Sequence, residues 1–430
     1  MDARNFCTAR QISPCRGAAR GGKVWRAGQT IPADGRRPCT QHRAPQLKET
    51  LVQHFFWRRL VAIGGLCGAL SAGAAPVAEL VVGQSLPLSG EQAALGRQLR
   101  LGADLWFAHV NATGGIQGTA IRHVVLDDAF DPASVVRNTR QLVQQEQVSV
   151  LMGYPQAQGV RPVLAQKLLA ASGVPLLGPA TGVGWLREPV HPQVFPVRAG
   201  QTGEAEHLAG HLATLGARRI AMVHAADEDG LGAVDALRAA LTRKGLTLAG
   251  AATLGLEGPD AAVTALRALR PEAIVLMAPT RHVAAFAKAY RGTGETAQLL
   301  SFARADHQEV LAQVGSTVAR GMGFTQVVPY PYGGARPLVR EYRALLATYG
   351  PMDAAPSYAG FEAFIATKVL VEALRRAGGT TWTPGRVATA LEQLGTLDLG
   401  GFVVRYGRGE RQGGRYVDFT VLGSEGQLLR

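Results

Sequence analysis

The chain has 430 residues, 47% of them hydrophobic, with a formal net charge of +13. That length suffices for two domains with substantial apolar cores. The charge is not a nucleic-acid signature: residues 1–74 hold twelve Lys/Arg against three acids, which leaves 33 bases and 29 acids, only +4, for the rest.

The first 74 residues read as a leader. All four cysteines (Cys7, Cys15, Cys39 and Cys67) lie there, so the body has no disulfide framework, thiol nucleophile or thiolate metal site. Arg58 and Arg59 precede an apolar run from Leu60 to Leu70, and Ala72-Gly73-Ala74 matches the small-residue cleavage pattern of an export signal. The run is too short for a stable membrane anchor. Leu66 before Cys67 argues against lipidation. Residues 51–74 are therefore expected to be a signal peptide, with Ala75 the first mature residue. Residues 1–50, rich in Arg, Gly, Gln and Pro and without periodicity, are expected to be an upstream extension, translation starting near Leu51 or Val52. A retained disordered tail is the alternative.

From Glu79 onward, short apolar runs alternate with amphipathic patterns. Strands are predicted at 79–85, 121–128, 148–154 and 174–179, with helices at 96–112 and 132–146. Leu99, Ala103, Trp106, Phe107 and Val110 recur at three- and four-residue steps, an apolar stripe that faces a sheet. Strands apolar on both faces and joined by single helices predict a parallel sheet covered on both sides. The pattern restarts with strands at 218–227, 246–254, 272–279 and 297–303 and helices near 230–244, 260–269 and 281–291. Two α/β lobes follow, with no Pro- or Ser-rich linker between them. Past Phe324 come a tyrosine-proline loop, helices near 337–349, 357–377 and 384–393, and closing antiparallel strands with a Gly-rich turn. The expected division is 79–198 and 326–401 for the first lobe, 199–325 for the second, and 402–430 as strands returning to the second.

Enzyme signatures fail one by one. "GVGWLRE" lacks the third glycine of a dinucleotide loop and follows no strand directly. No P-loop and no Gly-x-Ser-x-Gly elbow occurs. His207 and His211 stand four apart on a helix, but Leu208 occupies the place where a zinc hydrolase needs Glu. Asp127, Asp128 and Asp131 resemble a carboxylate cluster, yet Asp131 before Pro132 reads better as a helix N-cap. His224 and Asp227–Asp229 end a strand with no nucleophile in view. What remains is geometric: parallel α/β lobes bind ligands beyond the carboxyl ends of their strands, where helix N-termini suit anions, and two facing lobes can close by hinge motion.

In matching order, "PLSGEQAALG", "VNATGGIQG", "DDAFDP", "LMGYPQAQGV" and "PSYAGFEAFIATKVLVEAL" resemble the type I periplasmic solute-binding proteins, the leucine/isoleucine/valine-binding branch that serves ABC importers. The likeness runs from about Leu80 to the C-terminus. It implies two Rossmann-like lobes joined by three crossovers, a Venus-flytrap α/β fold. A small-molecule ligand (amino acid, organic acid or amide) is enclosed between the lobes and handed to a permease in the inner membrane. A monomeric periplasmic protein with no enzymatic activity, cofactor, metal or nucleic-acid partner is expected, with a ligand sensor of the same fold as the alternative. Asn111 and the glycines after it match structural positions of the family.

The ligand positions depart from the family's amino-acid pattern. The serine position falls on Ala157, beside Tyr154, Gln156 and Gln158; the next loop offers Ala180, Thr181 and Gly182. A tyrosine position is Leu95, a second-lobe aromatic is Asp229, and the acid that would meet the ammonium falls near Arg304. Pro279, Thr280 and Tyr358 complete the expected set. Arg304 in place of an acid repels an ammonium and attracts a carboxylate, so the resemblance implies an altered site, with a carboxylate or aromatic acid held by Arg304, loop amides and Tyr154.

Overall fold

A computed structural model describes residues 79–255 and 257–430. The leader and the extension before it lie outside the described residues. The first lobe is built on five parallel strands, β1 (Glu79–Leu86), β2 (Ala120–Asp127), β3 (Val150–Met152), β4 (Leu176–Leu177) and β5 (Val194–Phe195), in the order β2-β1-β3-β4-β5. Between them run α1 (Ala93–Ala112), α2 (Pro132–Gln144), α3 (Ala157–Ala165) and α4 (Leu168–Ser172), with a 3-10 turn at Gly184–Leu186.

The apolar stripe of α1 is buried, as the spacing predicts: Leu99, Ala103, Trp106, Phe107 and Val110 are at most 3% exposed. Asp131 caps α2 by accepting from Ser134 N–H at 2.9 Å, with Pro132 at the first helical position; the carboxylate answers an N–H that the helix leaves unpaired. Asn111 stands in the last turn of α1. Its amide spans the backbone of Ile121, accepting from N–H and donating to C=O at 2.8 Å each, which fixes α1 to β2. Gly115, at φ +76°, lies where a Cβ would come within 2.2 Å of the Thr119 carbonyl.

The second lobe repeats the pattern with α5 (Gln201–Thr214), β6 (Ile220–Ala225), α6 (Glu228–Arg243), β7 (Leu248–Leu254), α7 (Asp260–Ala268), β8 (Ala273–Met277), α8 (Thr280–Gly292), β9 (Gln298–Ser301), α9 (His307–Ala319) and β10 (Gly323–Gln326). The chain then returns to the first lobe as α10 (Pro337–Tyr349), α11 (Tyr358–Ala377) and α12 (Pro384–Glu392). Helix α11 shares one core with α1 and β1: Phe361, Phe364, Ile365 and Val369 pack with Leu80, Val82 and Trp106. The two helices touch backbone to backbone, since a Cβ on Gly102 would sit 1.8 Å from the Gly360 carbonyl.

The C-terminal strands differ from expectation. β11 (Gly395–Asp398), β12 (Val403–Gly407) and β13 (Glu410–Gly414) form their own antiparallel sheet on the first lobe. Only β14 (Asp418–Leu422) and β15 (Leu428–Leu429) join the second lobe, beside β10, in the order β15-β14-β10-β9-β8-β6-β7. The return begins near Asp418, not at 402. The reason is the alternation along β12: Val404 and Tyr406 turn inward and, with Phe402, enter the first-lobe core, while Val403 and Arg405 face out. Tyr406 also donates its hydroxyl to the Pro196 carbonyl at 2.8 Å, and Gly414 N–H donates to Val197 C=O at 2.8 Å. Three crossovers thus join the lobes, after β5, after β10 and after β13. Among the described residues no helix is long and apolar enough to cross a membrane.

Candidate functional site

Between the lobes lies a cleft of about 1090 Å³, counting the solvent at its mouth. It sits beyond the carboxyl ends of the parallel strands, where the two-lobed pattern predicts a ligand. Of the residues singled out in the sequence, Leu95, Ala180, Thr181, Gly182, Asp229, Pro279, Thr280, Arg304 and Tyr358 all line it. Four others do not. Gly153, at φ +76°, turns the chain after β3 so that Tyr154 points into the core, where its ring is 1% exposed and its hydroxyl shares a 2.9 Å hydrogen bond with Thr139. Burial without a charge partner pushes the Tyr154 phenol well above its ordinary value. Tyr154 therefore packs in the first-lobe core and does not line the cleft. Gln156 stands at the N-cap of α3 with its amide buried and unpartnered among the described residues. Gln158 is half-buried in the first turn of α3. Ala157 contributes only its backbone N–H.

That N–H is already engaged. Asp229, near the start of α6 in the second lobe, reaches across the cleft. One carboxylate oxygen accepts from Ala157 N–H at 3.4 Å, and the other accepts the Thr181 hydroxyl. The α3 N-terminus and Thr181 thus form an anion anchor on the first lobe, filled by the protein's own carboxylate. Gln201 holds Asp229 from behind, its side-chain amide donating to the Asp229 carbonyl at 2.9 Å.

Arg304 is also committed. Its guanidinium donates to both oxygens of Asp227, at 2.9 and 2.5 Å, and Asp227 caps α6 through Gly230 N–H at 2.8 Å. Burial works against the Arg304 charge, but Asp227 and Asp229 outweigh it and raise the pKa. The free cation expected for a ligand carboxylate is instead one half of a buried pair, because Asp227 ends the neighbouring strand-to-helix turn.

The sequence reading missed the group at the hinge end. Arg198, on the first crossover, donates to Glu204 of α5 at 3.2 Å and to Glu362 of α11 at 3.5 Å. Glu204 also accepts Ala303 N–H at 2.8 Å and the Thr325 hydroxyl at 2.6 Å. Glu362 has the looser geometry, and burial raises its pKa despite Arg198. The available signal for Glu362 was its place four residues after Tyr358, on the same helix face. On the opposite wall His307, 3% exposed, packs edge-on to Tyr332 and Tyr358, with centroids 5.8 and 5.6 Å away. Desolvation lowers the His307 pKa. Its Nδ1 and the hydroxyls of Tyr332 and Tyr358 are buried without partners among the described residues.

Charge in the cleft is lopsided. Its lining includes six carboxylates (Glu91, Glu204, Asp229, Asp306, Glu309 and Glu362) and two guanidiniums, Arg198 and Arg304. His207 and His211 lie elsewhere on α5, His211 against Phe419 at 4.4 Å. Among the described residues no three His, Cys, Asp or Glu are grouped to hold a metal ion.

Two α/β lobes joined by three crossovers, with a polar cleft between them, are the architecture of a solute-binding protein. The chain belongs to the periplasmic binding protein family, whose model matches residues 79–427. It is 26% identical over 277 residues to an amino acid binding protein of Pseudomonas aeruginosa, covering 64% of this chain and 72% of that one. It is 25% identical over 327 residues to Leu/Ile/Val-binding protein homolog 3 of Brucella melitensis, covering 75% and 86%. The crystal structure of a substrate-binding periplasmic protein from Ralstonia solanacearum superposes with a TM-score of 0.76 at 33% identity, covering 81% of this chain and 99% of that one.

Proposed function

We propose that the chain is the periplasmic receptor of an ABC importer, exported by its signal peptide, which captures one small organic solute between its lobes and presents it to a permease in the inner membrane. The observation that carries this reading is the cleft itself. Both lobes line it: Leu95, Ala180 and Tyr358 from the first, Asp229, Pro279 and Thr280 from the second. A solute touching both walls favours the closed form by its differential affinity, and closure is what a permease can sense. The filled anchor at Ala157 and Thr181 supports an altered amino-acid site. With Arg304 and Tyr154 both engaged by other side chains, the altered element is Asp229 rather than an arginine that attracts organic acids.

Uptake tests this. Membrane vesicles carrying the cognate permease should accumulate a radiolabelled solute only when this protein is added. A stabilising solute that is chemically turned over, or taken up equally without the protein, would contradict the receptor role.

A further inference from the structure

The filled anchor and the excess of acid in the cleft bear on the kind of solute that fits. A small solute with a carboxylate meets two obstacles. The first-lobe group built to receive an anion, the Ala157 N–H with the Thr181 hydroxyl, is occupied by Asp229. Both cleft guanidiniums are occupied too, Arg198 by two glutamates and Arg304 by Asp227. Any carboxylate entering would meet Asp229 and no uncommitted guanidinium among the cleft-lining residues, and like charges are expensive in a partly buried cavity.

A cation meets the reverse. Asp229 and Glu362 are 6% and 8% exposed, and both present to the cleft. Among the described residues Asp229 makes no direct ion pair, although Arg304 and Arg198 stand near enough to feel its charge, and Glu362 has the long contact to Arg198 with Arg187 further off. A second and independent feature points the same way: His307, 3% exposed, lines the cleft with its Nδ1 unpartnered among the described residues, beside the unpartnered hydroxyl of Tyr358. A neutral imidazole nitrogen and a phenol oxygen both accept hydrogen bonds from an N–H donor, and the Tyr358 ring offers a face for a cation.

Resting on the receptor reading above, we infer that the solute is a small organic amine without an α-carboxylate, and that Asp229 supplies from the protein the carboxylate that an amino acid would have brought with it. The ammonium sits among Asp229, Glu362 and the His307–Tyr358 pair. Asp229 is then the residue that sets specificity between an amine and its parent amino acid.

Titration calorimetry and thermal shift on the full chain test this with matched probes: isoamylamine, phenethylamine and agmatine, their parents leucine, phenylalanine and arginine, and the acids isovalerate and phenylacetate. At least one amine should bind tenfold or more tighter than its parent amino acid. Asp229→Asn should weaken that amine at least tenfold. Asp229→Ser, which empties the anchor, should move the ratio toward the parent. If Asp229 merely holds the lobes together, both variants weaken amine and parent alike and leave the ratio unchanged, which overturns the inference. Wild-type preference for an amino acid or an acid overturns it as well, while leaving the receptor reading intact. Silence of every class overturns both.

Discussion

Tyr154 and Glu362 show how burial assigns a role that residue type alone does not. Tyr154 lies at the strand end where ligands bind, yet it belongs to the core with Thr139, which also donates to the Val135 carbonyl at 2.7 Å. Tyr154→Phe should therefore cost about 1 kcal/mol of stability in denaturant unfolding, the net worth of one buried hydrogen bond, and leave solute affinity unchanged. Weakened binding would return Tyr154 to the site. Glu362 behaves in the opposite way. Its pKa is raised in the folded state by burial, so between its ordinary value of 4.5 and that raised value the folded chain binds a proton that the unfolded chain does not. Stability from this group is present at low pH and is lost as pH rises through the folded value. Asp227 has the contrary sign: burial opposes its charge but Arg304 lowers the pKa, so its contribution fades only as pH falls below 3.8. Glu362→Gln should flatten the Glu362 part of the stability profile above pH 4.5, measured by urea midpoints against pH. An unchanged slope would show that Glu362 is no titrating group of the fold.

At the scale of elements, the alternation of buried strands and striped helices was legible because each element buries its own face against a sheet, and local spacing records that. The Asp131-Pro132 start of α2 was legible for the same reason, since a cap is local. The placement of β12 was not. Alternating Val404 and Tyr406 announce a strand but do not name the sheet it joins, which here is decided by Pro196 and Val197 more than 200 residues earlier. Site residues divide along the same line. Loop positions such as Thr181 followed from strand ends, whereas Arg198 and the nearby Glu204 meet Glu362 of α11 only in the fold. The junction of α1 with α11 is the element contact least tolerant of change. Gly102→Val puts side-chain atoms into the Gly360 carbonyl, and overpacking of this kind costs about 3 kcal/mol. Thermal unfolding should show a large drop, and an unaltered melting temperature would mean that the helices stand further apart.

Over the whole molecule, the lobes are joined by short crossovers and touch across the cleft through the buried contacts of Asp229 with Ala157 and Thr181 and through ion pairs on the rims. Arg161–Glu228 and Arg281–Glu91, both at 2.6 Å, lie on partly exposed rims, where ion pairs contribute about 1 kcal/mol or less and weaken with salt. Closure on that scale leaves room for a bound solute to decide the equilibrium, which is the property a transport receptor needs. A solute held between the lobes is excluded by a substitution that fills that space, which is the most direct test of where it binds. Ala180 lines the cleft at the first-lobe wall. Titration calorimetry of Ala180→Trp with whichever probe binds the unaltered protein should show at least a hundredfold loss of affinity, with the melting temperature of the free protein little changed. Undiminished binding by that variant would place the solute elsewhere and contradict the account.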